Sequence, residues 1–230
     1  MRTPKPIPAS KALLRLIQGN KRFVKNRSLG QLAIPQDARR LLLKSRGPFA
    51  IILSCSDSRA PSEILFDQGL GDLFVIRVAG NVVAPSLIGS IEFAAATTQA
   101  RLVVVMGHTL CGAIQATYDA VHSKKPVISE NIRDIVERIT PHVYRLFEKK
   151  RSSVKKEEVL REAVRANVLA SADHLRHGSR FLEQMVRDQE LMIVGAEYDI
   201  DTGIVDFFDL PPVIKVKTVK KTKATKKKKK

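Results

Sequence analysis

Two cysteines and a histidine are the side chains of this sequence best suited to bind a metal ion. Cys55 and Cys111 are the only cysteines, and His108 stands three residues before the second of them. Two thiolates and an imidazole are a natural donor set for Zn²⁺, and three protein ligands leave one position of the ion for water. A structural site would normally have a fourth cysteine or histidine, and no third cysteine exists. An open site is therefore expected if a metal binds.

Two other interpretations of the cysteines stay open at this point. The pair could form a disulfide, although disulfides are rare in a reducing compartment. The two side chains could also simply fill the core, because cysteine is among the residues most often buried. The spacing alone does not decide between these interpretations and a metal site.

A carboxylate and a guanidinium follow the first cysteine, in the segment Cys55-Ser56-Asp57-Ser58-Arg59. Within one loop, Arg59 can hold Asp57 by a charge-assisted and bidentate hydrogen bond. A carboxylate held in this way stays ionised and can accept a proton from water on the metal. If Arg59 released it, Asp57 could instead take the fourth metal position and close the site. The alternative is a surface turn with a local ion pair, which would contribute little.

Short apolar runs rich in valine and isoleucine predict the strands that must position these residues. Continuous hydrophobicity is typical of parallel strands that are covered on both faces of the sheet. A further run after the turn Asp201-Thr202-Gly203 predicts a last strand, antiparallel to the one before it. The runs are Phe49–Cys55, Leu73–Val78, Leu102–Gly107, Leu191–Ala196 and Ile204–Phe208.

Segments of helical periodicity separate these runs, with apolar residues recurring every three or four positions. They span Leu13 to Phe23, Ile132 to Leu146, Val159 to Ala170 and Phe181 to Val186. Alternating strands and helices predict an α/β fold. We expect a mostly parallel sheet, with four parallel strands and one antiparallel edge strand, flanked by helices.

The predicted fold explains how distant residues could meet at one site. Ligands of open α/β sheets bind outside the carboxyl ends of the strands. Cys55 closes the first predicted strand, and His108 and Cys111 follow the third. If these two strands are neighbours, both thiols and the imidazole converge, although Cys55 and His108 are 53 positions apart.

The composition is that of a globular protein with one strongly basic end. The 230 residues are 44% hydrophobic and 27% charged, which fits one domain and excludes a disordered chain or a disulfide scaffold. Much of the net charge of +17 comes from ten lysines, without an acid among them, between residues 215 and 230. We predict a folded domain over residues 1–212 and a disordered Lys-rich tail over 213–230. The tail could contact nucleic acid or another polyanion through its charge.

The sequence gives no sign of membrane insertion or export. No apolar run approaches the ~20 residues of a membrane-spanning helix. Residues 1–10 contain three prolines and no apolar stretch, so a secretory signal is not expected. The expected location is the cytoplasm.

Four stretches carry a more specific pattern. They are CSDSRAPSEILFDQGLGDLFVIRVAGNVV from Cys55, GSIEFA from Gly89, VVVMGHTLCGAIQA from Val103 and MIVGAEYDIDTGIVDF from Met192. Together they resemble a β-class carbonic anhydrase, over roughly Ala9 to Leu210.

This resemblance implies an activity, a cofactor and an assembly. One Zn²⁺ per chain would bind Cys55, His108 and Cys111, with Asp57 and Arg59 as the catalytic dyad. The reaction would be the reversible hydration of carbon dioxide to bicarbonate and a proton by zinc-bound hydroxide. A homodimer or homotetramer is implied, because the N-terminal helix of the family embraces a partner subunit.

Two residues are candidates for binding the substrate. The backbone N–H of Gly112 stands where a helix is expected to begin and would point at an anion. In the family, a glutamine nine positions before the first cysteine donates to the substrate, and this position is Arg46 here. Members that close the site carry a tryptophan at the position of Ile52. We therefore expect water, rather than Asp57, on the metal.

Two other functions stay open. An enzyme with the same fold and metal could act on carbon disulfide or carbonyl sulfide instead of carbon dioxide. A zinc protein without catalysis could bind polyanions through its Lys-rich tail. The intact pair of Asp57 and Arg59 favours the enzyme.

The departure at Arg46 generates a prediction. An Arg46→Gln variant should keep its zinc and change its turnover, because a longer, charged donor is replaced by the family's amide. Zinc content per chain and stopped-flow hydration of carbon dioxide measure the two effects. Unchanged kinetics would show that position 46 takes no part in substrate binding.

Overall fold

A five-stranded sheet organises the part of the chain that the computed structural model describes, residues 6–30, 47–122, 126–148 and 155–211. Its order is β2-β1-β3-β4-β5, with the first four strands parallel and β5 antiparallel to β4. The predicted sheet is confirmed, and each strand boundary lies within two residues of its predicted place. The strands are β1 (Ala50–Ser54), β2 (Leu73–Arg77), β3 (Leu102–His108), β4 (Met192–Tyr198) and β5 (Val205–Asp209).

Seven α-helices lie within the described ranges, and a 3₁₀ turn at Ala79–Asn81 follows β2. The four predicted helical segments fall within α1, α5, α6 and α7, and α4 begins at Gly112 as expected. No helix was predicted at Ser62–Leu65 or at Pro85–Thr97. The helices are α1 (Ala9–Val24), α2 (Ser62–Leu65), α3 (Pro85–Thr97), α4 (Gly112–His122), α5 (Glu130–Glu148), α6 (Lys156–His177) and α7 (Arg180–Arg187).

The central strands are buried on both faces, as their continuous hydrophobicity predicts. Successive side chains of a strand point to opposite faces. Ile52 therefore packs in the cluster that contains α1 and α2. Ile51 and Leu53 pack in the cluster that contains α3, α6 and α7. A third cluster, formed by α4, α5 and α6, surrounds Cys55 and Cys111.

Helix α1 packs closely against its own chain. Its Gly19 faces the backbone of Phe66, at a distance that leaves no room for a Cβ. The buried amide of Asn20 donates to the carbonyls of Leu65 and Gly203 and accepts from the N–H of Val205. Helix α1 thereby connects the C-terminal end of α2 to the hairpin of β4 and β5.

The structure bears on the expectation about membrane insertion, but it does not describe two of the predicted features. Within the described ranges, no helix combines the length and the apolar character that crossing a bilayer requires. The predicted Lys-rich tail at residues 213–230, and Arg46, lie outside the described residues.

The packing of α1 predicts a large effect of one methyl group. A Cβ at Gly19 would lie 1.7 Å from the carbonyl oxygen of Phe66, so Gly19→Ala must displace α1. We expect the free energy of unfolding to fall by about 3 kcal/mol, as measured by urea denaturation. Arg133→Ala is the control, because this side chain of α5 is exposed and alanine suits a helix equally well. That variant should be neutral, and equal losses would contradict this packing.

Candidate metal centre

Two neighbouring strands bring the three predicted metal donors together. Cys55 directly follows β1, His108 is the last residue of β3, and Cys111 stands before α4. Strands β1 and β3 are paired in parallel, so their carboxyl ends lie at the same edge of the sheet. The two Sγ atoms and an imidazole nitrogen lie within 4.8 Å of one another. No other group of this kind occurs among the described His, Cys, Asp and Glu residues.

The chemistry of His108 fits a metal ligand. Its ring is 1% exposed, and Nδ1 lies 2.9 Å from the carbonyl oxygen of Thr109. Nδ1 must carry the proton to donate to a carbonyl, so the lone pair is on Nε2. Nε2 is buried and has no hydrogen-bond partner, which ordinarily costs about 1–3 kcal/mol. A cation bound between Nε2 and the two thiolates would supply the missing partner, so these residues fit Zn²⁺.

The two thiols are joined by a hydrogen bond between their side chains. A hydrogen bond from Cys111 lowers the pKa of the Cys55 thiol far below its ordinary value, despite burial. The same bond, together with burial, raises the pKa of Cys111. Burial opposes a charge on His108, but the neighbouring Cys55 thiolate outweighs it and raises the pKa of the imidazole. Zinc binding must therefore displace protons from the site, and zinc affinity will depend on pH.

Asp57 is held at the mouth of this site by Arg59, as the sequence predicts. Nε and Nη2 of Arg59 donate to Oδ1 and Oδ2 of Asp57 at 2.9 Å and 2.7 Å, and the backbone N–H of Arg59 adds a third bond to Oδ1. These bonds hold the pKa of the Asp57 carboxyl well below its usual range. Oδ2 lies 4.0 Å from Nε2 of His108. An ionised carboxylate with fixed oxygens therefore stands beside the donors.

Two residues support the site through contacts that the sequence analysis did not specify. Arg77, in register with Ser54 on the neighbouring strand, donates to the backbone oxygens of Cys55 and Asp57. The N–H of Gly80 points at Sγ of Cys55, at 3.4 Å. The contact of Arg77 depends on the strand order, which hydrophobic periodicity does not specify.

Gly80 belongs to a segment that α6 holds in place. Its φ of +69° is in the left-handed region, and a Cβ would lie 2.9 Å from the side chains of Ala113 and Ile139. The side chain of Asn167 donates to the carbonyl of Gly80, and Ser171 donates to the carbonyl of Asn81. Glycine is therefore required at this position to bring a backbone donor to the thiolate.

The structure describes only one of the two predicted substrate-binding residues. Gly112 is the first residue of α4, it is exposed, and a Cβ there would meet nothing within 4 Å. Arg46 lies outside the described residues, so its position relative to the site is not part of the structure.

Comparison with known proteins identifies the family. Residues 50–205 match the family model described as carbonic anhydrase. A carbonic anhydrase of Mycolicibacterium smegmatis is 38% identical over 204 residues, which cover 87% of this chain and 92% of the relative. Carbonic anhydrase 2 of Mycobacterium tuberculosis is 36% identical, over 86% of this chain and 90% of the relative.

Solved structures share the fold. One of two tetrameric β-carbonic anhydrases from Sordaria macrospora superposes with a TM-score of 0.67 at 19% identity, over 86% of this chain and 96% of the other. The β-carbonic anhydrase CcaA superposes with a TM-score of 0.64 at 24% identity, over 86% and 99% of the two chains. At such identities these superpositions concern the fold alone. The chain therefore belongs to the carbonic anhydrase family and has the fold of its β-class members.

Proposed function

We propose that this chain is a zinc-dependent carbonic anhydrase that catalyses the reversible hydration of carbon dioxide to bicarbonate and a proton. Cys55, His108 and Cys111 hold one zinc ion per chain. The observation that carries this assignment is the buried Nε2 of His108, which lacks a partner and lies beside two thiols. Relatives at 36–38% identity are named carbonic anhydrases, and no observation favours either of the alternative functions.

The residues around the zinc ligands have distinct tasks. When bound, zinc supplies the Lewis acidity that makes a water molecule acidic and nucleophilic near neutral pH. The ionised carboxylate of Asp57 accepts a hydrogen bond from the attacking water and aims its lone pair at carbon dioxide. Because the pKa of Asp57 is held far below its usual range, this carboxylate orients water rather than storing a proton.

Arg59 determines which way Asp57 faces. It binds both carboxylate oxygens, and its side chain is 49% exposed, so the pair contributes orientation rather than stability. An Asp57 that is tied to Arg59 is not free to turn towards the metal. This pairing supports the open form of the site, in which Asp57 is not a ligand.

Gly112 is placed to bind the negatively charged oxygens of bicarbonate. The backbone N–H of Gly112 has no acceptor within α4, and the helix dipole favours an anion at this end. The missing side chain leaves room for the oxygens of bicarbonate to approach the backbone. Arg46 remains the second candidate donor, in place of the family's glutamine.

The chain is a homodimer or a larger homo-oligomer in this proposal. Leu110, beside the metal ligand Cys111, is 70% exposed, and Phe93 of α3 is 60% exposed on a helix face without charges. Contact with another subunit would remove both side chains from water. The reduced state of the two cysteines that zinc needs supports a cytoplasmic location.

The Lys-rich tail forms a separate proposal, a weak contact with nucleic acid as a polyanion. Removing the residues after Pro212 should abolish retention on immobilised duplex DNA at low salt and leave the hydration rate unchanged, because the tail contains none of the site residues. Retention that survives this truncation would place any such contact on the folded domain.

The proposed activity is tested by two measurements on one preparation. We expect one zinc per chain by elemental analysis and rapid hydration of carbon dioxide by stopped flow. Removing the metal with a chelator should abolish hydration, and one equivalent of zinc should restore it. Metal-free protein that hydrates carbon dioxide at full rate would contradict the assignment.

Asp57 has a matched control elsewhere in the chain. Asp57→Ala should keep its zinc and lower kcat/KM for hydration by about 100-fold, because the attacking water loses its acceptor. Asp134 on α5 forms the same bidentate pair, with Arg138, on the surface. Asp134→Ala should leave hydration unchanged, and an equal loss in both variants would contradict the role of Asp57.

A further inference from the structure

We infer that Thr109 is a positioning residue for the metal centre, because its hydroxyl fixes the carbonyl group that orients His108. The inference deepens the proposed function and rests on its assignment of His108 as a zinc ligand. It concerns a residue that supplies none of the three donor atoms.

All three polar groups of Thr109 are in use. Its carbonyl oxygen is the partner of Nδ1 of His108, at 2.9 Å. Its backbone N–H donates to the carbonyl of Tyr198, at 2.9 Å. Its Oγ1 accepts the backbone N–H of Ile200, at 3.0 Å. One residue thus joins the imidazole to the hairpin of β4 and β5.

The side-chain bond matters because Thr109 lies just beyond regular structure. The pairing of β3 with β4 ends at His108 and Tyr198. Leu110, the next residue, has a φ of +59°, in the left-handed region. The Thr109 peptide therefore stands between a strand end and a strained turn. Without Oγ1, only its own N–H would tie it to the hairpin.

The hairpin is a firm support for this contact. Oδ1 of Asp199 accepts the backbone N–H groups of Asp201 and Thr202, and the carbonyl of Asp199 accepts the N–H of Gly203. Arg161 of α6 pairs with Asp199 at 3.2 Å and with the buried Glu197 at 2.8 Å. The two acids flank Tyr198, so α6 anchors the backbone to which Thr109 is bound.

The consequence for the metal follows from the tautomer of His108. A carbonyl held in place keeps the proton on Nδ1 and the lone pair on Nε2, and it also fixes the plane of the ring. Groups that orient a metal-binding histidine in this way typically change metal affinity or activity by about 10–100-fold when they are removed. Loss of Oγ1 loosens the carbonyl without deleting it, so the lower end of this range is expected.

Thr109→Val tests the inference, since it keeps the shape of the side chain and removes only the acceptor. We expect the zinc dissociation constant, measured by chelator competition on the full chain, to rise about tenfold. Thr109→Ser, which keeps the hydroxyl, should retain the wild-type affinity. If the valine variant does not fold, Thr109→Ala takes its place with the same expectation.

Thr202→Val is the matched control. Its Oγ1 also accepts a backbone N–H of the same hairpin, from Ile204, but has no bond to His108 or Thr109. We expect this variant to bind zinc as the wild type does. A second readout, the unfolding of the metal-free variants in urea, separates positioning from general stability.

Three results would overturn the inference. They are an unchanged zinc affinity in Thr109→Val, an equal loss in Thr202→Val, or a failure of Thr109→Ser to restore affinity. Wild-type protein that bound zinc without hydrating carbon dioxide would overturn the proposed activity alone. In that case the zinc affinities of the variants would still decide the role of Thr109.

Discussion

The parallel pairing of β1 with β3 is the interaction on which the metal centre depends. Their register places Ser54 opposite Met106, so Cys55 leaves the sheet beside the residues that end β3. A slip of one residue would move Ile51 and Leu53 to the opposite face and exchange the contents of the two hydrophobic clusters. Burial on both faces therefore fixes the register, and the register fixes the positions of the donors.

Gathering two thiols and an imidazole in a buried site is unfavourable until a cation binds. The lowered pKa of Cys55 and the raised pKa of Cys111 express this conflict, because one buried thiolate resists the formation of a second. Two backbone groups, and not distant charges, stabilise the donors by hydrogen bonds. They are the N–H of Gly80 and the carbonyl of Thr109. Binding of a divalent cation removes the remaining free-energy cost of burying these groups together, so metal binding and folding stability are coupled.

The sequence sufficed for features that depend on local pattern or on burial. Continuous apolar runs gave the strands, and the spacing of Asp57 and Arg59 gave their bidentate pair, because both residues lie in one loop. Helix α3 was missed because the face with Phe93 is uncharged as well as exposed, which weakens the helical period. The contacts of Arg77 and Gly80 with the site could not be predicted, because they depend on strand order and on one left-handed residue.

The centre thus combines two kinds of contact with different consequences. The donors are held by long-range contacts in the core, so their geometry can change only if the sheet or α6 changes. The pair of Asp57 and Arg59 is local, and the side chain of Arg59 is half-exposed, so this pair depends little on the core. The zinc ligands must keep fixed positions. The packed core supplies this rigidity at the buried site, where a misplaced polar group would cost the most free energy.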